Sequence, residues 1–164
     1  MAYSYSNTAP SQDVFETLYA DSEKYLIKET LTPDVMGGRP CKDWLLEQLE
    51  ELPFHLQFFK DGKTICWCAG VKDGSLAKLS VALFSPDLDN SRSYWTDPDF
   101  WAMTEQFFLS EGLTGWVTDT ARNTTHHRNL IKSVDGKPQA EEIFSTICPD
   151  GVNHIDCVTI TIAY

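Results

Sequence analysis

The side chains best suited to move a proton in this 164-residue chain lie close together, between Asp119 and His127. A histidine can act as a general base near neutral pH because its pKa is ordinarily about 6.5. His127 shares an apolar helical stripe with Leu130 and is expected to be a hydrogen-bonded core residue. His126 lies toward the side of that helix and is the better candidate. Asp119 is the second candidate, with ordering of a strand-to-helix turn as its competing role.

The chain also contains five cysteines, namely Cys41, Cys66, Cys68, Cys148 and Cys157. Their odd number and irregular spacing favour free, mostly buried thiols in a reducing compartment. With His154 they include enough ligand types for zinc, but the spacing matches no standard zinc pattern. Cys66 and Cys68 would share a buried face of a strand, and no neighbouring group activates a thiol as a nucleophile. We therefore expect no metal site and no catalytic cysteine.

Strand and helix patterns alternate through the middle of the chain. Apolar residues on both faces of Leu76–Phe84 predict a strand that is covered on both sides. A long turn leads to a predicted helix at Pro98–Ser110. A predicted strand at Leu113–Thr118 then precedes a helix at about residues 124–134. We expect any ligand to bind at the crossovers of this strand-helix-strand-helix unit.

The rest of the chain supplies helices before this unit and strands on either side of it. The other predicted elements are a helix capped by Ser11, a strand at Lys24–Thr30, a helix at about residues 42–52, strands at Phe54–Lys60 and Lys63–Val71, and strands at Ala140–Ile147 and His154–Tyr164. Asp61-Gly62 is the strongest hairpin signal. Residues 1–10 are expected to be a flexible leader. Residues 11–164 are expected to form a single domain, because the length suits one and no linker interrupts it.

The composition is acidic, with 24 Asp and Glu against 13 Lys and Arg and a formal net charge of −11. Direct nucleic-acid binding needs a basic face, so it is not expected. An acidic surface could engage a basic protein or mimic DNA, although the acids are spread without long runs. No apolar run approaches the ~20 residues that span a bilayer, and no signal peptide is evident. We expect a cytoplasmic protein that does not contact membranes.

The most specific sequence pattern is Trp116–Lys132, WVTDTARNTTHHRNLIK. Together with the order of elements, it resembles the GNAT (GCN5-related N-acetyltransferase) fold, in which an Asn often follows the fifth strand and opens a helix. The segment also resembles small virion-associated proteins of short-tailed phages. The residues that match the phage pattern are Trp116, Asn123, Thr124, Thr125, His126, Arg128, Leu130 and Lys132. The resemblance implies an α/β fold with a mixed, mostly antiparallel central sheet flanked by helices.

For a catalytic protein, the resemblance implies acetyl-CoA as cofactor and a base near the substrate amine. The implied cofactor contacts are Val81 and Leu83 on the central strand and Asn123 after the fifth strand. Many GNAT enzymes place a tyrosine, the general acid for the departing thiolate, seven residues after this Asn. The corresponding residue here is Leu130, which its apolar stripe assigns to the core.

A GNAT enzyme also holds the cofactor's pyrophosphate on backbone N–H groups at the start of the central helix, through a glycine-containing loop. The corresponding residues 85–97, SPDLDNSRSYWTD, contain no glycine. Asp97 occupies an N-cap position, Pro98 has no N–H, and Asp99 adds negative charge where a diphosphate would bind. The sequence therefore predicts an ordinary capped helix start rather than a phosphate site.

These observations favour a phage protein that uses a degenerate GNAT scaffold without catalysis. It would bind no cofactor, would engage a protein partner as a virion-associated or host-interacting component, and would lie in the host cytoplasm or the virion. One alternative is an acyl-CoA-dependent N-acyltransferase that uses acetyl-CoA. The other is an acidic, DNA-mimic-like inhibitor of a host nucleic-acid-binding protein.

Overall fold

The computed structural model describes residues 3–29, 36, 39–85, 97–121, 139–147 and 154–164, with residues 24–29, 119–121, 139–147 and 154–158 described by their backbone alone. In chain order, the elements are β1 (Tyr3–Ser6), α1 (Gln12–Glu29), α2 (Cys41–Glu51), β2 (Phe54–Lys60), β3 (Lys63–Asp73), β4 (Leu76–Phe84), α3 (Pro98–Ser110), β5 (Gly115–Ala121), β6 (Gln139–Ile147) and β7 (His154–Ala163).

The seven strands form one sheet in the order β1-β2-β3-β4-β5-β7-β6. Every neighbouring pair is antiparallel except β4 and β5, which are parallel. A parallel pair needs a crossover connection, and α3 lies in this one. The predicted mixed, mostly antiparallel sheet flanked by helices is therefore confirmed.

Aromatic side chains fill both faces of the sheet. On one face, Phe100 and Phe107 of α3 pack edge-to-face against Phe58 of β2, with ring centroids 5.5 and 5.7 Å apart. On the other face, Phe15 of α1 packs edge-to-face against Trp67 of β3 at 5.9 Å. All five side chains are buried. The central strand β4 contributes buried residues to both clusters, so it is covered on both sides as its two-sided apolar pattern predicted.

The N-terminal residues correct the expectation of a flexible leader. Tyr3–Ser6 forms the edge strand β1, which pairs antiparallel with β2. The Tyr3 ring lies 5.9 Å from Phe100, and the Tyr5 ring lies 5.4 Å from Phe107. A strand of four residues is too short to show a clear period in the sequence, and its contacts with α3 stabilise it.

The strand predicted at Lys24–Thr30 is wrong, because α1 continues to Glu29. This stretch contains no helix breaker, and its Leu, Lys and Glu residues favour a helix. The predicted cap is confirmed, since the Ser11 hydroxyl accepts a hydrogen bond from the Val14 N–H at 3.2 Å. The other predicted elements within the described residues agree with the structure to within three residues. The helix predicted at about residues 124–134 lies outside the described residues.

Gly115 lies where β5 is paired on both sides, opposite Leu76 of β4 and Ala163 of β7. A Cβ atom at this position would lie 2.2 Å from the Ile162 carbonyl oxygen and 3.1 Å from Leu76 Cδ2. The backbone oxygen cannot move without disturbing the β5–β7 pairing. The sheet therefore requires glycine here.

We expect Gly115→Ala to lower the free energy of unfolding by about 3 kcal/mol, at the upper end of overpacking costs. Gly74→Ala is the matched control. Its backbone has a φ of 61° but no atom lies within 4 Å of the added Cβ, so only the left-handed conformation costs energy, about 1 kcal/mol. Urea denaturation would measure both variants. Equal transition midpoints for the two variants would contradict the predicted close approach.

Candidate functional site at the parallel strand pair

The parallel strands β4 and β5 pair over only part of their length. The pairing runs from Leu76↔Gly115 to Leu79↔Thr118. Beyond these residues, each strand continues in the sheet along its outer neighbour, β4 with β3 and β5 with β7. The ladder between the two strands therefore ends inside the sheet, at the crossover where a ligand site was expected. We call the two segments beyond it the strand wedge, Ser80–Leu83 of β4 and Asp119–Ala121 of β5.

A β-bulge marks the start of the wedge on β4. Ala69 pairs with Val81, whereas Gly70 pairs with Leu79, so Ser80 is the extra residue on β4. Its side chain is exposed. A bulge bends the strand and breaks its regular pairing, and bulges are over-represented next to functional sites. Sequence reasoning missed Ser80, because one extra residue in a strand leaves no distinctive local pattern.

The bulge also reverses the face on which the following side chains lie. Val81 and Leu83, the implied cofactor contacts, are 5% and 0% exposed and pack in the cluster formed with α1 and α2. Their side chains cannot line a ligand site in the wedge. What β4 can present there is its backbone, and cofactor binding at these two residues stays a prediction.

Two adjacent aromatic residues pack the start of α3 against both parallel strands. Phe100 contacts Phe84 at the end of β4, with ring centroids 6.3 Å apart. Trp101 stacks on Trp116 of β5 at 6.2 Å. The first turn of α3 therefore bridges the two parallel strands. A helix N-terminus in such a place is a ready anion site if its N–H groups are free.

These N–H groups are engaged by Asp97. The Asp99 N–H donates to Asp97 Oδ1 at 2.9 Å, and the Phe100 N–H also bonds to this carboxylate. The Trp101 N–H donates to the Asp97 carbonyl oxygen at 3.2 Å. Pro98 has no N–H to offer. The predicted capped helix start is confirmed, and we call this arrangement the Asp97 cap.

A residue from the other end of the sheet holds the Asp97 cap in place. The Tyr3 hydroxyl donates a hydrogen bond to Asp97 Oδ2 at 2.5 Å. Burial acts to raise the pKa of Asp97, but the hydrogen bonds from Tyr3 and from the Asp99 and Phe100 amides, together with the charge of Lys60, hold this pKa below its ordinary value. The carboxylate is therefore the stable form in the folded protein. Sequence reasoning missed Tyr3, which no local pattern connects to Asp97.

The described residues at the start of α3 do not fit a diphosphate. A phosphate group would need the amide N–H groups that already bind Asp97. It would also approach the negative charges of Asp97 and Asp99 within one helical turn. The partial positive charge at a helix N-terminus is too small to offset the repulsion among these anions. No catalytic step through acetyl-CoA is derived from this arrangement.

The structure bears only partly on the candidate catalytic residues. Asp119 lies within β5, directly after the last residue paired with β4, and not in the turn expected for it. This position brings its backbone to the wedge. His126 lies outside the described residues, as does Asn123. Their proposed roles, and the catalytic role of Asp119, stay predictions.

The described thiols are buried and unreactive in character. Cys66 and Cys68 are 0% and 3% exposed, and their Sγ atoms lie 3.5 Å apart. Burial raises the pKa of Cys66, and burial with the nearby Glu23 charge raises that of Cys41 to about 11. Among the described residues, no group of three or more His, Cys, Asp or Glu side chains is placed to hold a metal ion.

The described acidic residues of α1 and α2 are interspersed with cations. Glu16 pairs with Lys42 at 2.5 Å, Asp21 with Lys63 at 3.5 Å. Glu47 of α2 pairs with Arg39. These exposed pairs contribute little to stability. The DNA-mimic reading stays a prediction. In the described part of the chain, no helix is long and apolar enough to cross a membrane.

The seven-stranded sheet, the single parallel pair and the crossover helix above it together define a GNAT-type N-acetyltransferase fold. An acetyltransferase of GNAT family from Streptococcus pneumoniae is similar, with a TM-score of 0.54 and 11% identity over 99% of this chain and 100% of that chain. The ribosomal-protein-S18-alanine N-acetyltransferase from Escherichia coli has a TM-score of 0.56 and 14% identity over 99% and 94%. Ard1 from Thermoplasma volcanium has a TM-score of 0.60 and 11% identity over 100% and 99%.

The chain therefore has the GNAT fold, and the predicted resemblance to that fold is confirmed. No protein-family model and no curated protein matches the sequence. At these identities the likeness shows the fold alone, because one fold hosts many functions. The resemblance to phage virion proteins stays a prediction.

The lowered pKa of Asp97 predicts a pH-dependent contribution to stability. Because the folded-state pKa is depressed, the ionised carboxylate stabilises the fold above the unfolded-state pKa of about 3.9, and this stabilisation is lost as pH falls through the folded-state value. Asp97→Asn should therefore be less stable than the wild type at pH 7. The difference should shrink as the pH falls below the unfolded-state pKa and through the lower folded-state pKa.

Urea titrations between pH 2.5 and 7 would measure this difference. Asp99→Asn removes the same charge from the same helical turn without removing the cap, and its effect should be smaller at pH 7. A stability difference for Asp97→Asn that does not change with pH would contradict the assigned role of the carboxylate.

Proposed function

We propose that this protein uses the GNAT fold without acyl transfer, as a protein-binding component that is virion-associated or host-interacting. The Asp97 cap is the observation that carries the proposal. It occupies the helix N-terminus on which GNAT enzymes hold the cofactor's pyrophosphate. A protein with this fold that cannot hold the diphosphate has lost the principal anchor for an acyl-CoA donor.

The energetic cost of displacing the cap supports this proposal. A diphosphate would compete for two amide hydrogen bonds, each worth about 0.5–1.5 kcal/mol in a partly exposed position. Repulsion from Asp97 and Asp99 at the helix terminus adds about 0.3–1 kcal/mol for each charge. The sum exceeds about 1.5 kcal/mol, which weakens binding by more than about tenfold.

The partner and the location rest on other features. The segment Trp116–Lys132 resembles virion-associated proteins of short-tailed phages, and such proteins act through contacts with other proteins. The net charge of −11 disfavours nucleic acid as the direct partner. Both features support a protein partner in the virion or in the host cytoplasm.

An acyl-CoA-dependent N-acyltransferase is the second candidate, and the strand wedge favours it. The ladder between β4 and β5 ends at Leu79↔Thr118, and the bulge at Ser80 follows at once. An extended ligand could bind to the backbone of β4 at this point. Acetyl-CoA would be the cofactor in that case, anchored at the wedge rather than at the start of α3.

An acetyl-CoA titration separates the two candidates. A ligand present at 100 times its Kd stabilises the native state by about 2.7 kcal/mol, which raises the Tm of a protein of this size by about 5–10 °C. We expect about 1 mM acetyl-CoA to raise the Tm by less than about 1 °C, because the Asp97 cap excludes the diphosphate. Sodium chloride at equal ionic strength is the control. A saturable rise of several degrees would reject the proposal in favour of the enzyme.

The virion role makes a separate prediction. If the chain is produced during infection by the phage that encodes it, we expect it in purified virions at a fixed ratio to the capsid protein. Quantitative mass spectrometry of virions banded in a density gradient would measure this ratio. A high-salt wash is the control for adsorption, since salt screens non-specific charge contacts. Loss of the protein in that wash would count against a virion component.

A further inference from the structure

We infer that the Asp97 carboxylate is a resident anion at the start of α3, and that Asp97 is the residue that excludes phosphate groups from this helix N-terminus. The inference rests on the proposed function and names the residue responsible for it. It also assigns Tyr3 as the positioning residue that keeps the carboxylate in place. The start of α3 is thus an anion-binding site that is occupied by the protein's own Asp97 carboxylate.

The contacts of the carboxylate are those that a bound phosphate would make. Oδ1 accepts the Asp99 N–H at 2.9 Å, the carboxylate also accepts the Phe100 N–H, and Oδ2 accepts the Tyr3 hydroxyl at 2.5 Å. Lys60 contributes a favourable positive charge. Two backbone amides, a hydroxyl donor and a cation form the donor set expected around an anion at a helix N-terminus.

Tyr3 reaches this site from a different part of the sheet. It belongs to β1, which pairs with β2, and its ring packs edge-to-face on Phe100 at 5.9 Å. The position of the Tyr3 hydroxyl is therefore fixed by the pairing of β1 with β2 and by ring packing on Phe100, and not by its hydrogen bond to Asp97. Because Tyr3 and Asp97 are 94 residues apart in the chain, this contact exists only in the folded protein. It prevents the carboxylate from turning away to admit another anion.

Three variants test the inference with inorganic pyrophosphate as the probe. Asp97→Ala removes the resident anion and leaves the Asp99 and Phe100 amides without it. Asp99→Asn is the matched control, because it removes one negative charge from the same turn and leaves the cap. Tyr3→Phe removes only the hydroxyl. Isothermal titration calorimetry measures the affinity, and ¹⁵N NMR follows the two amides during the titration.

We expect Asp97→Ala to bind pyrophosphate at least tenfold more tightly than the wild type, with shifts centred on the Asp99 and Phe100 amides. Asp99→Asn should change the affinity by less than about threefold, because the amides stay engaged. Tyr3→Phe should speed hydrogen exchange at the Asp99 amide, a readout that loss of ring packing would not explain because the ring remains. Equal pyrophosphate affinity for Asp97→Ala and the wild type would overturn the inference.

Circular dichroism establishes whether Asp97→Ala folds. If it does not, Asp97→Gly, which an N-cap position tolerates better than alanine, also removes the carboxylate and should still bind pyrophosphate more tightly than Asp99→Asn does. Equal affinities in that pair would also overturn the inference. These outcomes are distinct from failure of the proposed function, which is acetyl-CoA binding by the wild-type protein.

Discussion

Aromatic packing at the start of α3 fixes the relation between the two parallel strands, and the candidate site depends on it. Hydrogen bonds join β4 to β5 over only four residues of each strand. In addition, Phe100 packs on Phe84 at the end of β4, and Trp101 stacks on Trp116 of β5, which lies within the paired segment. Because the two rings are neighbours on one helix, they tie both strands to the same helical turn. The position of the helix N-terminus relative to both strands follows from this packing.

The fold is that of N-acetyltransferases, whereas a carboxylate of the chain itself occupies the start of α3. The fold as a whole is shared with N-acetyltransferases. The start of α3 packs on both parallel strands, and a helix N-terminus can hold an anion. Here Asp97 supplies that anion from within the chain. One fold can therefore present different chemical groups at the same helix N-terminus.

The edge strand β1 connects the stability of the fold to this site. Tyr3 and Tyr5 cover α3 with their rings, and the Tyr3 hydroxyl bonds to Asp97. A similar contact joins Trp116 to Tyr164, both of which stack on Phe108 of α3, and the indole N–H donates to the hydroxyl at 2.9 Å. In both places a polar group on a packed aromatic ring donates a hydrogen bond to a residue from a distant part of the chain. Packing and hydrogen bonding therefore reinforce each other.

The sequence by itself determined the elements whose signals are local. Asp61-Gly62 marks the β2–β3 turn, and both residues have positive φ angles of 51° and 82°. Asp97-Pro98 marks the start of α3, since capping involves residues a few positions apart. Only the tertiary structure decided that Tyr3 belongs to the sheet and bonds to Asp97, and that Ser80 forms a bulge where the parallel ladder ends. Register and edge pairing depend on residues far apart in the chain, and no pattern among near neighbours carries that information.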